Sequence, residues 1–134
     1  MAYPITDIRG IGPDTAAILK SEGIRTTIGL LRSAKTPNQR LKIAEMTGSN
    51  KERVLGWVTT ADRMRVKGIG WEYSELLRAA GVKTVNDLKF RNPEHLVERI
   101  KDANKRKLVR VLPKQQTVER WIESARKLPL LIRY

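Results

Sequence analysis

The sequence predicts an all-α protein, with two tandem helix-hairpin-helix units packed as one small compact helical domain. Three observations lead there. A Gly-Ile-Gly turn occurs twice, at Gly10-Ile11-Gly12 and at Gly68-Ile69-Gly70. The residues that follow match in order: at an offset of 58, Leu19 falls on Leu77, Gly23 on Gly81, Ile24 on Val82, Thr26 on Thr84 and Leu30 on Leu88. Apolar residues then recur at helical spacing, and no segment alternates as a half-buried strand would. Further on the offset becomes 64, carrying Val54, Trp57, Val58, Ala61 and Met64 onto Val118, Trp121, Ile122, Ala125 and Leu128. Two matched stretches in the same order read as a duplication. Residues 1–65 form the first unit and residues 66–134 the second, which holds about six extra residues.

Each element follows from its start and stop signals. A first helix over Asp14 to Glu22 carries Ala16, Ala17, Ile18 and Leu19. It ends at Gly23, whose missing Cβ suits a left-handed cap. Thr26 caps a short helix through Leu31. Thr36-Pro37 opens another, with proline at the first helical position where its lost N–H costs nothing, and it runs through Leu41 and Ala44 to Gly48. Ser49 and Glu52 have the spacing of a capping box and start the longest helix, Lys51 to Arg65. On its wheel Val54, Trp57, Val58, Ala61 and Met64 share a face, while Lys51, Arg53 and Arg63 fall elsewhere. In the second unit Asn92-Pro93 takes the part of Thr36-Pro37. The insertion falls in the lysine-rich stretch from Asn104 to Lys107, and the apolar end, Leu130 to Tyr134, forms a short docked tail.

Composition narrows the function. Lys and Arg total 27 against 14 Asp and Glu, a net charge of +13, which attracts polyanions and favours nucleic acid as the partner. The apolar fraction of 40% and charged fraction of 31% suit a folded chain. No stretch approaches the roughly 20 apolar residues of a membrane span, so no membrane partner is expected. Helical signals begin near Ile5, leaving no room for a secretory leader, and the cytoplasm is the expected location. The chain has no cysteine, which excludes disulfide frameworks and thiolate metal sites. His95 stands alone, and neither a Gly-Lys-Ser/Thr loop nor a nucleophile–base pair is visible. The expectation is a protein that is not an enzyme, with no catalytic residues, no metal site and no cofactor.

Two sets of residues are candidates for binding. The hairpin set is Arg9, Gly10 and Gly12 with Lys67, Gly68 and Gly70. Each glycine permits a tight backbone turn and the central isoleucine points inward. The next helix then offers free N–H groups at the positive end of its dipole. That arrangement holds a phosphate oxygen without reading sequence. The same turn also serves simply to pack two helices, and Asp14 and Glu72 place carboxylates in the first turns that a phosphate would approach. The second set is the densest basic run, Lys101, Lys105, Arg106, Lys107, Arg110 and Lys114, opposed locally by Asp102. It is the stronger candidate for nonspecific phosphate contact. Lys35, Arg40 and Lys42, with Arg63, Arg65 and Lys67, extend this surface if the fold brings them alongside. Trp57 and Trp121 repeat at matching positions and are expected as core anchors. Trp71 has three open roles, stacking on a base, packing against the tail or touching a protein, and packing is the favoured one.

The order Gly-Ile-Gly-Pro, Gly-Ile, a Thr-Pro helix and then RVLGWVTTADRMRVKGIGWEYSELLRAAGV resembles the bacterial family known as domain of unknown function 4332. The runs RNPEHL, VRVLP and VERWIESARKLP extend the resemblance over nearly the whole chain. It implies an all-helical pair of helix-hairpin-helix units, with DNA-related roles by analogy to other hairpin proteins. It brings no activity with it. DNA-binding hairpins commonly place a basic or small residue early in the second helix, and Asp14 and Glu72 depart from the basic option. The functional expectation is a non-enzymatic, sequence-nonspecific nucleic-acid-binding module, with duplex DNA as its partner. The alternative is a protein-interaction adaptor that uses the tandem hairpins as a scaffold, a reading favoured by the acidic first turns and by Trp71 and Tyr73.

Overall fold

The computed structural model describes residues 2–134, and among them the regular structure is helical, with an isolated bridge pairing Pro4 and Thr26. A 3-10 turn over Ile5–Asp7 precedes α1 (Pro13–Ser21), α2 (Thr27–Ser33), α3 (Pro37–Thr47) and α4 (Lys51–Arg63). The pattern then repeats as α5 (Trp71–Ala79), α6 (Val85–Leu88), α7 (Pro93–Ala103) and α8 (Gln115–Arg126). Packing repeats with it: α1 lies on α3 as α5 lies on α7, and α4 crosses α2 and α3 as α8 crosses α6 and α7. The fold is all-α, as expected.

Local chemistry sets the boundaries. Thr26 and Thr84 accept hydrogen bonds from the backbone N–H groups of Gly29 and Asp87, capping α2 and α6. Asn92 accepts from His95 N–H at 3.1 Å and caps α7. The capping box lies at Thr36 and Gln39, not at Ser49 and Glu52. Ser49 is already committed, because its N–H donates to Ala44 O at 2.9 Å to close α3 beyond the left-handed Gly48. The cap of α4 passes to Asn50, whose side-chain oxygen accepts from Arg53 N–H at 2.9 Å. Residues 48–50 join α3 to α4, whereas residues 104–114 join α7 to α8, which places the extra length of the second unit.

Two apolar clusters form the interior. One gathers Ile5, Leu19, Leu30, Ile43, Trp57 and Val58, the other Ile69, Leu77, Leu88, Leu96, Val118 and Trp121. Trp57 and Trp121 are core anchors, each almost wholly enclosed. The tail leaves α8, returns to the first unit and inserts Ile132 into its cluster, while Arg133 N–H donates to Lys35 O at 2.8 Å.

Three arginines expected on a polar surface are buried instead: Arg40, Arg63 and Arg65. In each case the guanidinium meets backbone carbonyl oxygens of other segments of the chain. Arg40 donates to Ala34 O, Lys35 O and Arg133 O. Arg63 donates to Ser74 O and Lys83 O across the unit boundary. Arg65 pairs with Asp62 and donates to Pro129 O, and Asp62 in turn accepts from Val85 N–H. A guanidinium is tolerated in an interior on these terms, paired and hydrogen-bonded. These three arginines therefore do not extend the basic surface, whereas Lys35, Lys42 and Lys67 are exposed.

The two glycines of each turn differ. Gly10 and Gly68 lie at φ +98° and +91°, and a Cβ on either would sit 3.3 Å from the indole nitrogen of Trp57 or Trp121. Gly12 and Gly70 adopt ordinary extended conformations at the starts of α1 and α5, with open space where a Cβ would be. Only the first glycine of each turn thus needs the conformational freedom expected of both. Gly10→Ala and Gly68→Ala are each expected to lose about 1–2 kcal/mol in urea unfolding. Gly12→Ser and Gly70→Ser, which offer a capping hydroxyl, are expected to stay within about 0.5 kcal/mol of the parent.

Candidate nucleic-acid interface

The two glycine turns lie at the surface of the fold. Ile11 and Ile69 point into the interior, while Arg9, Gly10, Gly12, Lys67 and Gly68 are exposed and Gly70 is half-buried. Asp14 and Glu72 are exposed in the first turns of α1 and α5. The surroundings of the second turn are the more developed, because two clefts meet at Gly68.

The larger cleft, about 470 Å³, opens between Lys67 and α8. Thr117, Arg120, Ser124 and Lys127 line it, and Glu123 lines it with them. These four recur at helical spacing, so they share one side of α8, while Val118, Trp121, Ile122 and Ala125 face inward. Arg120 and Lys127 were not among the expected binding residues, although that spacing is readable in the sequence. At the offset of 64 they match Gly56 and Arg63 of α4. In the first unit Arg63 is covered by the second unit, through Ser74 and Lys83. On α8 the corresponding surface stays open.

The second cleft, about 420 Å³, lies between Gly68, Gly70 and Trp71 on one side and residues 109–111 on the other. The insertion forms this wall because it is folded back rather than extended. Asn104 bonds both the N–H and the O of Val109, at 3.0 and 3.3 Å. Tyr73 packs its ring on Trp121 and donates its hydroxyl to Val111 O at 3.0 Å. Arg110 thereby reaches the hairpin that the sequence places some forty residues away. The rest of the basic run, Lys101, Lys105, Arg106, Lys107 and Lys114, is exposed along the end of α7 and the loop after it. Lys101 and Lys105 meet Glu98 and Asp102 at 3.4 Å, with more than half of each side chain in solvent. Pairs of that kind are weak and leave the cations available.

Among the described residues no helix is long and apolar enough to cross a membrane. Nor do three or more histidine or acidic side chains among them gather closely enough to hold a metal ion. His95 is exposed on α7. Comparison with curated proteins and with solved structures returns no match. The model of one family, described as Domain of unknown function (DUF4332), matches residues 9–128, from the first glycine turn to the end of α8, and the chain belongs to that family.

Proposed function

We propose that this is a non-enzymatic module of the cytoplasm that binds nucleic acid without regard to sequence, with duplex DNA as its partner. The single observation that carries the reading is the convergence around Gly68. Lys67, Arg110, Arg120 and Lys127 come from three separate stretches of chain and line two clefts that meet at this exposed glycine. The exposed insertion cations continue the positive surface beyond the second cleft. Thr117 and Ser124 add hydroxyl donors beside the cations, a combination suited to backbone phosphates rather than base edges. The tandem glycine turns support a helix-hairpin-helix reading of the scaffold. Asp14 and Glu72 shift the phosphate contacts from the helix starts to the flanking cations.

Fluorescence anisotropy with labelled duplexes of unrelated sequence tests this reading across a salt series. Affinity is expected to differ little between sequences and to fall linearly with log salt, with a slope near −0.9 for each phosphate neutralised. The charge reversals Lys105→Glu, Arg106→Glu and Lys107→Glu, made together, are expected to weaken binding by at least about tenfold. Their circular dichroism should be unchanged, since all three side chains are exposed. The pair Lys67→Glu and Arg120→Glu is expected to act the same way. Unchanged binding in both variants would reject this interface.

A further inference from the structure

Trp71 is 42% exposed, whereas Trp57 and Trp121 are 4% and 2% exposed. It belongs to neither apolar cluster and lines the cleft shared by Gly68, Gly70 and Arg110. Helix geometry does not require it. The matching residue of the first unit is Pro13, which starts α1 in the same way. Opposite Trp71 the cleft is bounded by Val109 and by Val111, itself 71% exposed. An apolar slot with a tryptophan on one side and an arginine at its mouth is the arrangement that stacks a base and neutralises its phosphate. Its volume of about 420 Å³ lies within the range of small-ligand pockets. Glu72 on the same rim would repel a phosphate placed there, yet a carboxylate accepts readily from the amino group of a base.

We propose that this cleft takes an unpaired base of a DNA strand adjoining a duplex, stacked on Trp71, so that the protein prefers a duplex bearing a single-stranded overhang to a blunt one. The inference rests on the duplex-binding reading above and assigns to the second turn a role that the first, with Pro13, cannot share. The lateral cations hold the paired segment while Trp71 engages the first base beyond it.

Trp71 is also the reporter, because the other two tryptophans are enclosed. A blunt duplex and the same duplex with an overhang are titrated into the intact protein, following both anisotropy and tryptophan emission. The overhang is expected to bind on the order of tenfold more tightly and to quench the emission. Trp71→Ala should abolish both the advantage and the quenching while the blunt duplex still binds and the helical circular dichroism is unchanged. Trp71→Phe should keep part of the advantage. Equal binding of the two duplexes without quenching would overturn the inference, as would an advantage that survives in Trp71→Ala. A protein partner that survives nuclease treatment and depends on Trp71, with no overhang preference, would place a peptide on this wall and overturn it too. Failure of the blunt duplex to bind at low salt while the overhang still quenches would instead reject the duplex reading and leave the base site standing.

Discussion

Arg63→Ala is expected to destabilise the fold by about 3–5 kcal/mol, a large fraction of what holds a domain of this size together. The side chain is fully buried between the two units. Its Nε donates to Ser74 O at 2.9 Å and to Ser74 Oγ at 3.0 Å, one terminal nitrogen reaches Lys83 O at 2.8 Å, and the other reaches Thr60 Oγ1 at 3.2 Å. Removal leaves a cavity and strips donors from two carbonyl groups of the second unit. Burial pushes the guanidinium down to about 10, with Glu75 acting in the opposite direction, so it remains charged at neutral pH. Arg63→Lys keeps the charge, but an ammonium cannot span acceptors that diverge as these do, and a loss of about 2 kcal/mol is expected. Arg63→Met should fall between parent and alanine, because it fills space and removes the buried charge together. Urea unfolding measures all three. A loss below about 1 kcal/mol for the alanine variant would show that water reaches the boundary and replaces the guanidinium.

The fate of Arg63 also shows what the sequence could not supply. Glycine turns, threonine and asparagine caps and apolar spacing are local signals, and each helix of the first unit lies within a few residues of where they place it. Ser49 misled because two caps compete over three residues: the left-handed Gly48 commits Ser49 to the end of α3, and only Asn50 is left to start α4. Arg40, Arg63 and Arg65 are of another kind. A helical wheel shows that Arg63 lies off the apolar face of its own unit, but not that a second unit will cover that face. The duplication was legible, and the contact between its copies was not.

The candidate site divides the same way. The glycine turns and the six cations of the basic run stand out by type and spacing. Arg120 and Lys127 acquire meaning only when α8 is seen beside Lys67, because of their first-unit counterparts Gly56 carries no side chain and Arg63 is buried. Arg110 parts from its neighbours in the run because Asn104 and Tyr73 fold the loop toward Gly68. Of the three roles open to Trp71 the sequence favours packing, yet the side chain stands 42% exposed in the cleft beside Arg110.

Truncation after Leu128 is expected to cost about 4 kcal/mol and to lower the thermal midpoint by on the order of 15 °C, although it removes no residue of the first unit. The segment it deletes supplies Ile132, 3% exposed, to the apolar cluster of that unit. It also supplies Arg133 O, 2.7 Å from Arg40, and Pro129 O, 2.9 Å from Arg65, so two buried guanidinium groups lose an acceptor each. Two point variants separate these contributions. Ile132→Ala should lose about 2–3 kcal/mol, the usual effect of emptying a buried aliphatic site. Leu130→Ala, on a side chain 68% exposed, should lose less than about 0.5 kcal/mol. Amide exchange locates the effect: in the truncated chain, protection should fall first in α2 and α3, which lie beside the tail through Lys35 and Arg40. Loss confined to α8 would mean that the tail merely extends its own unit. Loss in α2 and α3 would mean that it straps the second unit onto the first, with Arg63 making the same connection from the opposite direction.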